Sequence, residues 1–172
     1  LDWDTSRVTT MQEMFRYATS FSQPLAWDTG HVTTMNHMFA SAGAFDQPLA
    51  WDTSSVTNMY ATFYEAKAFD QPLVWDMSKV TNMAATFEFA GAFNQPLDWD
   101  TSSVRALEKT FFGASTFNQP LAISRWDVSK VTLMESLFAD SVKGMSGMFT
   151  NTALASDDCS KQVMHEAWQG VA

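Results

Sequence analysis

Asp46-Gln47-Pro48-Leu49-Ala50-Trp51-Asp52-Thr53-Ser54-Ser55-Val56-Thr57-Asn58-Met59 is written into the chain again and again with small changes. Its tryptophan recurs at Trp3, Trp27, Trp51, Trp75 and Trp99, every 24 residues, and once more at Trp126 after 27. A fixed period of this length marks a repeat array in which each unit packs on its neighbours. Coils 1 to 6 are numbered here from these six tryptophans in order. The three extra residues before Trp126 enter from the Ala122-Ile123-Ser124-Arg125 segment, which reads as a bulge or bent turn.

Within a coil, Leu49 and Trp51 follow Pro48 at a spacing of two, the pattern of a short strand with both side chains on one face. Proline is tolerated at the first strand residue because its missing N–H need not join a ladder. Val32, Met35, Met38, Phe39 and Ala42 then fall on one face of a short helix, and Asp52 or Ser54, just ahead of the equivalent stretch from Val56, is placed as N-cap. The expectation is strand, tight turn, helix, turn in each coil. A single coil has too few large side chains to offset the entropy of ordering its backbone, so stacking is obligatory.

These spacings predict an α/β repeat: a leucine-rich-repeat-like, right-handed solenoid of roughly 24-residue coils, each a short parallel strand plus a short helix. Residues 1–154 read as six coils and a truncated seventh, in which Val142, Met145, Met148 and Phe149 keep the core spacing. Residues 155–172 read as a C-terminal cap, with a helix over 157–169 started by Ser156-Asp157-Asp158. The chain opens on Leu1 with no signal-peptide pattern, which reads as a processed or excised piece. Leu1 and Trp3 already occupy core positions, so the first coil is expected to expose its edge unless a partner or further residues cover it.

Composition narrows the function classes. The 172 residues carry a formal charge of −9, and six of the nineteen acids sit at one repeat position: Asp4, Asp28, Asp52, Asp76, Asp100 and Asp127. No basic stripe is present to hold nucleic acid or an anionic lipid surface, and no run of about 18 apolar residues could span a membrane. Cys159 is the single cysteine, so the chain makes no internal disulfide.

The candidate chemistry is sparse. Asp28, Asp52, Asp76 and Asp100 could form a carboxylate ladder for Ca²⁺, but Asp-Thr-Ser is also turn and cap chemistry, which is the favoured reading. Gln23, Gln47, Gln71, Gln95 and Gln119 are expected to bond one another as an amide ladder. Two threonine rows, one through Thr9, Thr33, Thr57, Thr81 and Thr132 and one through Thr5, Thr29, Thr53 and Thr101, could present a lattice to ice or polysaccharide, though local capping accounts for them as well. His31, His37 and His165 fall at three different repeat positions, with neither a triad nor a zinc spacing, and no phosphate loop occurs, so no enzyme, cofactor or metal is expected. Variation concentrates where solvent is expected. Tyr60 and Tyr64 lie four apart, Arg16, Tyr64 and Phe112 share one repeat position, and Tyr17 and Phe89 share the next. Exposed aromatics beside arginine are interface anchors, so Arg16, Tyr17, Tyr60, Tyr64, Phe89 and Phe112, with Leu1 and Trp3 at the open edge, are the candidate partner-binding residues.

Trp51-Asp-Thr-Ser-Ser-Val-Thr-Asn-Met59 and Met38-Phe39…Ala42…Phe45-Asp-Gln-Pro-Leu49 resemble the BspA-like leucine-rich-repeat surface proteins of mycoplasma lipoproteins and marine unicellular algae. The Pro-Leu form of the repeat and the closing Ser156-Asp-Asp-Cys-Ser-Lys segment are more similar to the algal members. The resemblance implies a solenoid outside the cytoplasm, on a cell surface, secreted or in an organelle lumen, used for adhesion or protein–protein contact, and it supplies no catalytic residues. The expected function is a non-enzymatic protein–protein interaction module. Its alternatives are a permanent subunit of a larger assembly, such as an algal membrane-associated photosynthetic complex, and a carbohydrate- or ice-binding surface.

Overall fold

The computed structural model describes residues 3–119 and 125–138. The truncated seventh coil, the C-terminal cap and Leu1 lie outside the described residues. Six coils stack in parallel register through Thr10, Thr34, Asn58, Asn82, Ala106 and Leu133, each bridged to the next. The last step spans 27 residues instead of 24, yet Trp126 still lies over Trp99 with ring centroids 6.3 Å apart. The register is therefore kept across the longer step, while the bulge expected at Ala122-Ile123-Ser124 lies outside the described residues.

The stretch expected to be helical is a succession of turns. Among the described residues no helix occurs, and 36–41, 60–65, 84–89 and 108–113 are turn throughout. Backbone donors alternate along this stretch. Met35, His37, Phe39 and Ser41 donate to the carbonyls of Asn58, Tyr60, Thr62 and Tyr64 in the next coil, at 2.7–3.0 Å. Met38, Ala40 and Ala42, each following one of the last three, donate back three residues within their own coil, and Asn36 donates to the Thr34 hydroxyl. A helix would spend every N–H on itself and would hold its neighbour about 8–10 Å away, whereas bridged backbones sit about 4.8 Å apart.

Positive φ makes the alternation possible. His37 and Ser41, and their equivalents in other coils such as Glu13, Tyr17, Ala61, Glu65, Ala85, Phe89 and Lys109, all take φ between 52° and 60°. Each is the third residue of a turn, where a type II geometry requires that sign. The left-handed conformation costs a non-glycine residue about 1–2 kcal/mol. Each of these residues also donates its N–H to the next coil, so the strain is held in place by the coil ladder.

The Pro-Leu-x-Trp-Asp side also differs from expectation. Leu49 and Trp51 are both buried, but the segment is not a paired strand. Side chains tie its backbone together instead. The Trp51, Trp75, Trp99 and Trp126 indole N–H groups donate to the carbonyls of Leu25, Leu49, Leu73 and Leu97, each at 3.0 Å. The buried Thr29, Thr53 and Thr101 hydroxyls donate forward to the carbonyls of Asp52, Asp76 and Asp127 at 2.9–3.0 Å. Met77 replaces the threonine in coil 4 and fills the same buried place without that bond.

The expected glutamine ladder is corrected in its partners. Gln71 reaches the Asp46 carboxylate at 2.8 Å, Gln95 reaches Asp70 at 3.0 Å, and Gln119 reaches Asn94. The same Asp46, Asp70 and Asn94 oxygens accept the backbone N–H of Asp70, Asn94 and Asn118. One side-chain oxygen thus closes two donors of the following coil.

Three aromatic columns fill the interior. Trp27, Trp51, Trp75, Trp99 and Trp126 form one; Phe39, Phe63, Phe87 and Phe111 another; Phe45, Phe69, Phe93 and Phe117 the third. Phe39 also faces Phe45 within its coil at 4.1 Å, which joins two columns. Trp51→Ala removes one column member and one backbone donor together and should cost about 3–5 kcal/mol in chemical denaturation. Trp51→Phe keeps a ring but leaves the Leu25 carbonyl without its donor, and should cost about 1–3 kcal/mol. No loss in Trp51→Phe would show that the indole N–H contributes nothing.

Candidate aromatic groove across the coils

The turn side carries the variable residues, and four of the eight candidate contact residues meet there. Arg16, Tyr17, Tyr60 and Tyr64 line one groove of about 410 Å³ that runs along the stack. Its floor is made of small residues, Ala40, Ala61 and Ala85, all buried, with Ser41 beside them. His37, Glu88 and Lys109 complete the lining, so the groove draws on coils 1 to 5. At about 4.8 Å per step it extends over roughly 19 Å. Tyr60 and Tyr64 share the groove although no helix joins them, because the turns repeat every four residues.

Phe89 and Phe112 stand beside the groove. Phe89 meets Tyr64 edge-on at 6.2 Å and Phe112 edge-on at 5.3 Å. Its ring lies over the backbone of Gly113, where φ is +65° and a Cβ would collide with the ring edge. These two phenylalanines thus partly cover their own surface, while Tyr17 remains 64% exposed. Trp3 is also exposed and stacks on Trp27 at 5.7 Å, away from the groove lining.

Charges in the groove are unequally satisfied. Arg16 bonds Glu13 at 3.1 Å, donates to the Tyr17 hydroxyl at 3.1 Å and lies over the Tyr17 ring at 4.8 Å. The Lys109 ammonium stands 5.8 Å from the centre of the Phe112 ring. Ser41 donates to Glu65 at 3.0 Å. His37 is held below the ordinary histidine value by burial and then by Arg16, and its ring meets Tyr60 edge-on. Burial, then Glu65 and Glu88, push the Tyr64 phenol up.

Glu88 is the exception, and sequence reading passed over it. It is 9% exposed, and among the described residues no hydrogen bond or ion pair within 4 Å reaches its carboxylate. Burial raises its pKa above the ordinary 4.5, with Lys109 opposing and Glu65 adding to the shift. Its repeat position, shared with Arg16, Ala40, Tyr64 and Phe112, was the available signal.

The aspartate row is turn chemistry in its geometry. Asp28 accepts the Gly30 N–H at 3.2 Å, Asp52 that of Ser54, Asp76 that of Ser78 and Asp100 that of Ser102, the last three at 2.9–3.0 Å. The serine hydroxyl first and then its N–H hold Asp52, Asp76 and Asp100 below the ordinary carboxylate value. Among the described residues no three His, Cys, Asp or Glu side chains form a metal-holding group. Of the threonine rows, the one through Thr29 is buried, while Thr33, Thr57 and Thr81 are exposed with their hydroxyls donated to the preceding coil at 3.1–3.2 Å. No helix among the described residues is long and apolar enough to cross a membrane.

Because the folded chain holds the Glu88 proton more tightly than the unfolded one, that contribution is complete below pH 4.5 and is lost as pH rises through the raised folded value. Glu88→Gln should therefore raise the thermal midpoint at about pH 7 and leave it nearly unchanged near pH 3.5. A midpoint that shifts equally at both would remove the ionisation cost from Glu88.

Comparison with known proteins places the repeat in a family. The family described as "Mycoplasma protein of unknown function, DUF285" matches residues 1–98 and 73–167. No curated protein and no solved structure matches the chain. The two overlapping matches together take in nearly all of the 172 residues, and the chain belongs to the DUF285 family of mycoplasma-type repeat proteins.

Proposed function

We propose that the chain is a right-handed solenoid that serves as a non-enzymatic protein–protein interaction module, with the aromatic groove as its contact surface. The observation that carries this reading is the convergence of Arg16, Tyr17, Tyr60 and Tyr64, drawn from coils 1 and 3, on one groove with an alanine floor. Tyrosine and arginine are the residues that anchor interfaces, and a small-residue floor leaves room for a partner's side chains. The Pro-Leu form of the repeat resembles the algal members, and the resemblance to surface proteins implies a place outside the cytoplasm.

The test is capture from an extract of the source organism. Wild-type chain and the Tyr60→Ala/Tyr64→Ala variant are immobilised side by side, with Thr57→Ala as a control on the other exposed row. A partner retained by wild type and by Thr57→Ala, with at least tenfold lower recovery on the double tyrosine variant, is the expected result. Equal recovery on the double variant would remove the groove from the interaction. Loss on Thr57→Ala alone would move the contact to the threonine row and favour a lattice ligand.

A further inference from the structure

We infer that the groove recognises a basic side chain of the partner, arginine in preference to lysine, and that Glu88 is the group that receives it. This rests on the reading of the groove as a protein-contact surface and adds its chemistry.

Glu88 lines the groove, is nine-tenths buried, and has no hydrogen-bond donor from the described residues. The side chain is covered along most of its length, but its carboxylate oxygens are not among the buried, unpartnered atoms, and as part of the lining they are open to a donor from whatever enters. Every other charged side chain there already has company. Arg16 is neutralised by Glu13 and laid on Tyr17, Lys109 stands near the Phe112 ring, and Glu65 accepts from Ser41. The unmet demand is for donors.

The surroundings select the kind of donor. Tyr60 and Tyr64 line the same groove as Glu88, with Phe89 edge-on to Tyr64 beside it, and ring faces attract cations. A guanidinium is flat, stacks on such faces and offers paired N–H groups to one carboxylate, which a lysine ammonium does not. Long-range field points the same way, since the chain carries a formal charge of −9 and would draw in a basic segment. The charged and titratable groups facing Glu88 are Lys109, Glu65 and Tyr64, with His37 and Arg16 further along the groove.

The experiment uses the full chain with ¹³C-labelled alanine methyls, because Ala40, Ala61 and Ala85 form the groove floor. Two probes are titrated: acetyl-Gly-Arg-Gly-amide and the same peptide with citrulline, which matches arginine in shape but carries no charge. The expected result is saturable shifts of the three methyls with the arginine peptide and at least tenfold weaker binding of the citrulline peptide. Glu88→Gln should reduce the arginine peptide to the citrulline level while leaving the methyl spectrum of the free chain in place. Equal affinity of the two peptides, an arginine preference that survives in Glu88→Gln, or no shift with either peptide overturns the inference. So does tighter saturation of the same methyls by a neutral sugar such as methyl glucoside, which would reassign the carboxyl to hydroxyl recognition. If both peptides bind equally and Tyr60→Ala/Tyr64→Ala abolishes both, the role of Glu88 fails while the groove stands. If the double variant changes nothing, the groove fails with it.

Discussion

Everything in this molecule depends on where the backbone N–H groups between the Thr-x-Met segment and the following Ala are sent. Alternate donors go to the next coil and the others fold back three residues, so no stretch satisfies itself as a helix does. The consequence is a coil spacing set by backbone hydrogen bonds on this side of the stack, about half of what packed helices would impose. Aromatic rings with centroids 5.5–6.5 Å apart fit that spacing and would not reach one another across helices. The left-handed residues every fourth position are the local consequence, each tolerated because its own N–H is held by a neighbour.

Where the backbone cannot form a ladder, the repeated side chains do so. Proline removes one donor from the Gln-Pro-Leu-x-Trp segment, and this side is closed by Trp N–H, Thr O–H and Gln amide groups acting across coils. That explains why the tryptophan and glutamine recur from coil to coil and why threonine holds four of the six coils. Replacing one with a residue of similar bulk but no donor, as Met77 does for threonine, preserves packing and forfeits a bond. The repeat is a hydrogen-bonding pattern as much as a hydrophobic one.

The period, the stacking and the inward set of residues were legible in the sequence. Val32, Met35, Met38, Phe39, Ala42, Leu49 and Trp51 are all buried as the spacing implied. The helix was not legible as a false lead, because a chain of turns that repeats every four residues buries nearly the same positions as a helix of 3.6 residues per turn. Periodicity reports which side chains face inward and says little about where the N–H groups go. The glutamine ladder failed for a related reason: like residues at one repeat position suggested self-pairing, while the nearest acceptor was the Asx one position earlier in the preceding coil. Of the candidate contact residues, Tyr60 and Tyr64 were found by a helical argument whose premise fell and whose placement survived, since both spacings return after four residues.

Glu88 escaped notice because a lone acid among variable residues is ordinarily a solvated surface group. Its burial arises from the stack. The coil 3 and coil 5 residues at the same repeat position, Tyr64 and Phe112, are large and aromatic, and Phe89 beside it can lie flat only because Gly113 in the next coil has no Cβ. A repeat position therefore has no fixed environment: it inherits one from the residues above and below it. In a stack at backbone hydrogen-bond spacing, every variable side chain is a wall of its neighbour's site. A recognition surface can then be composed by changing residues 24 apart while the bonds that hold the coils together stay the same.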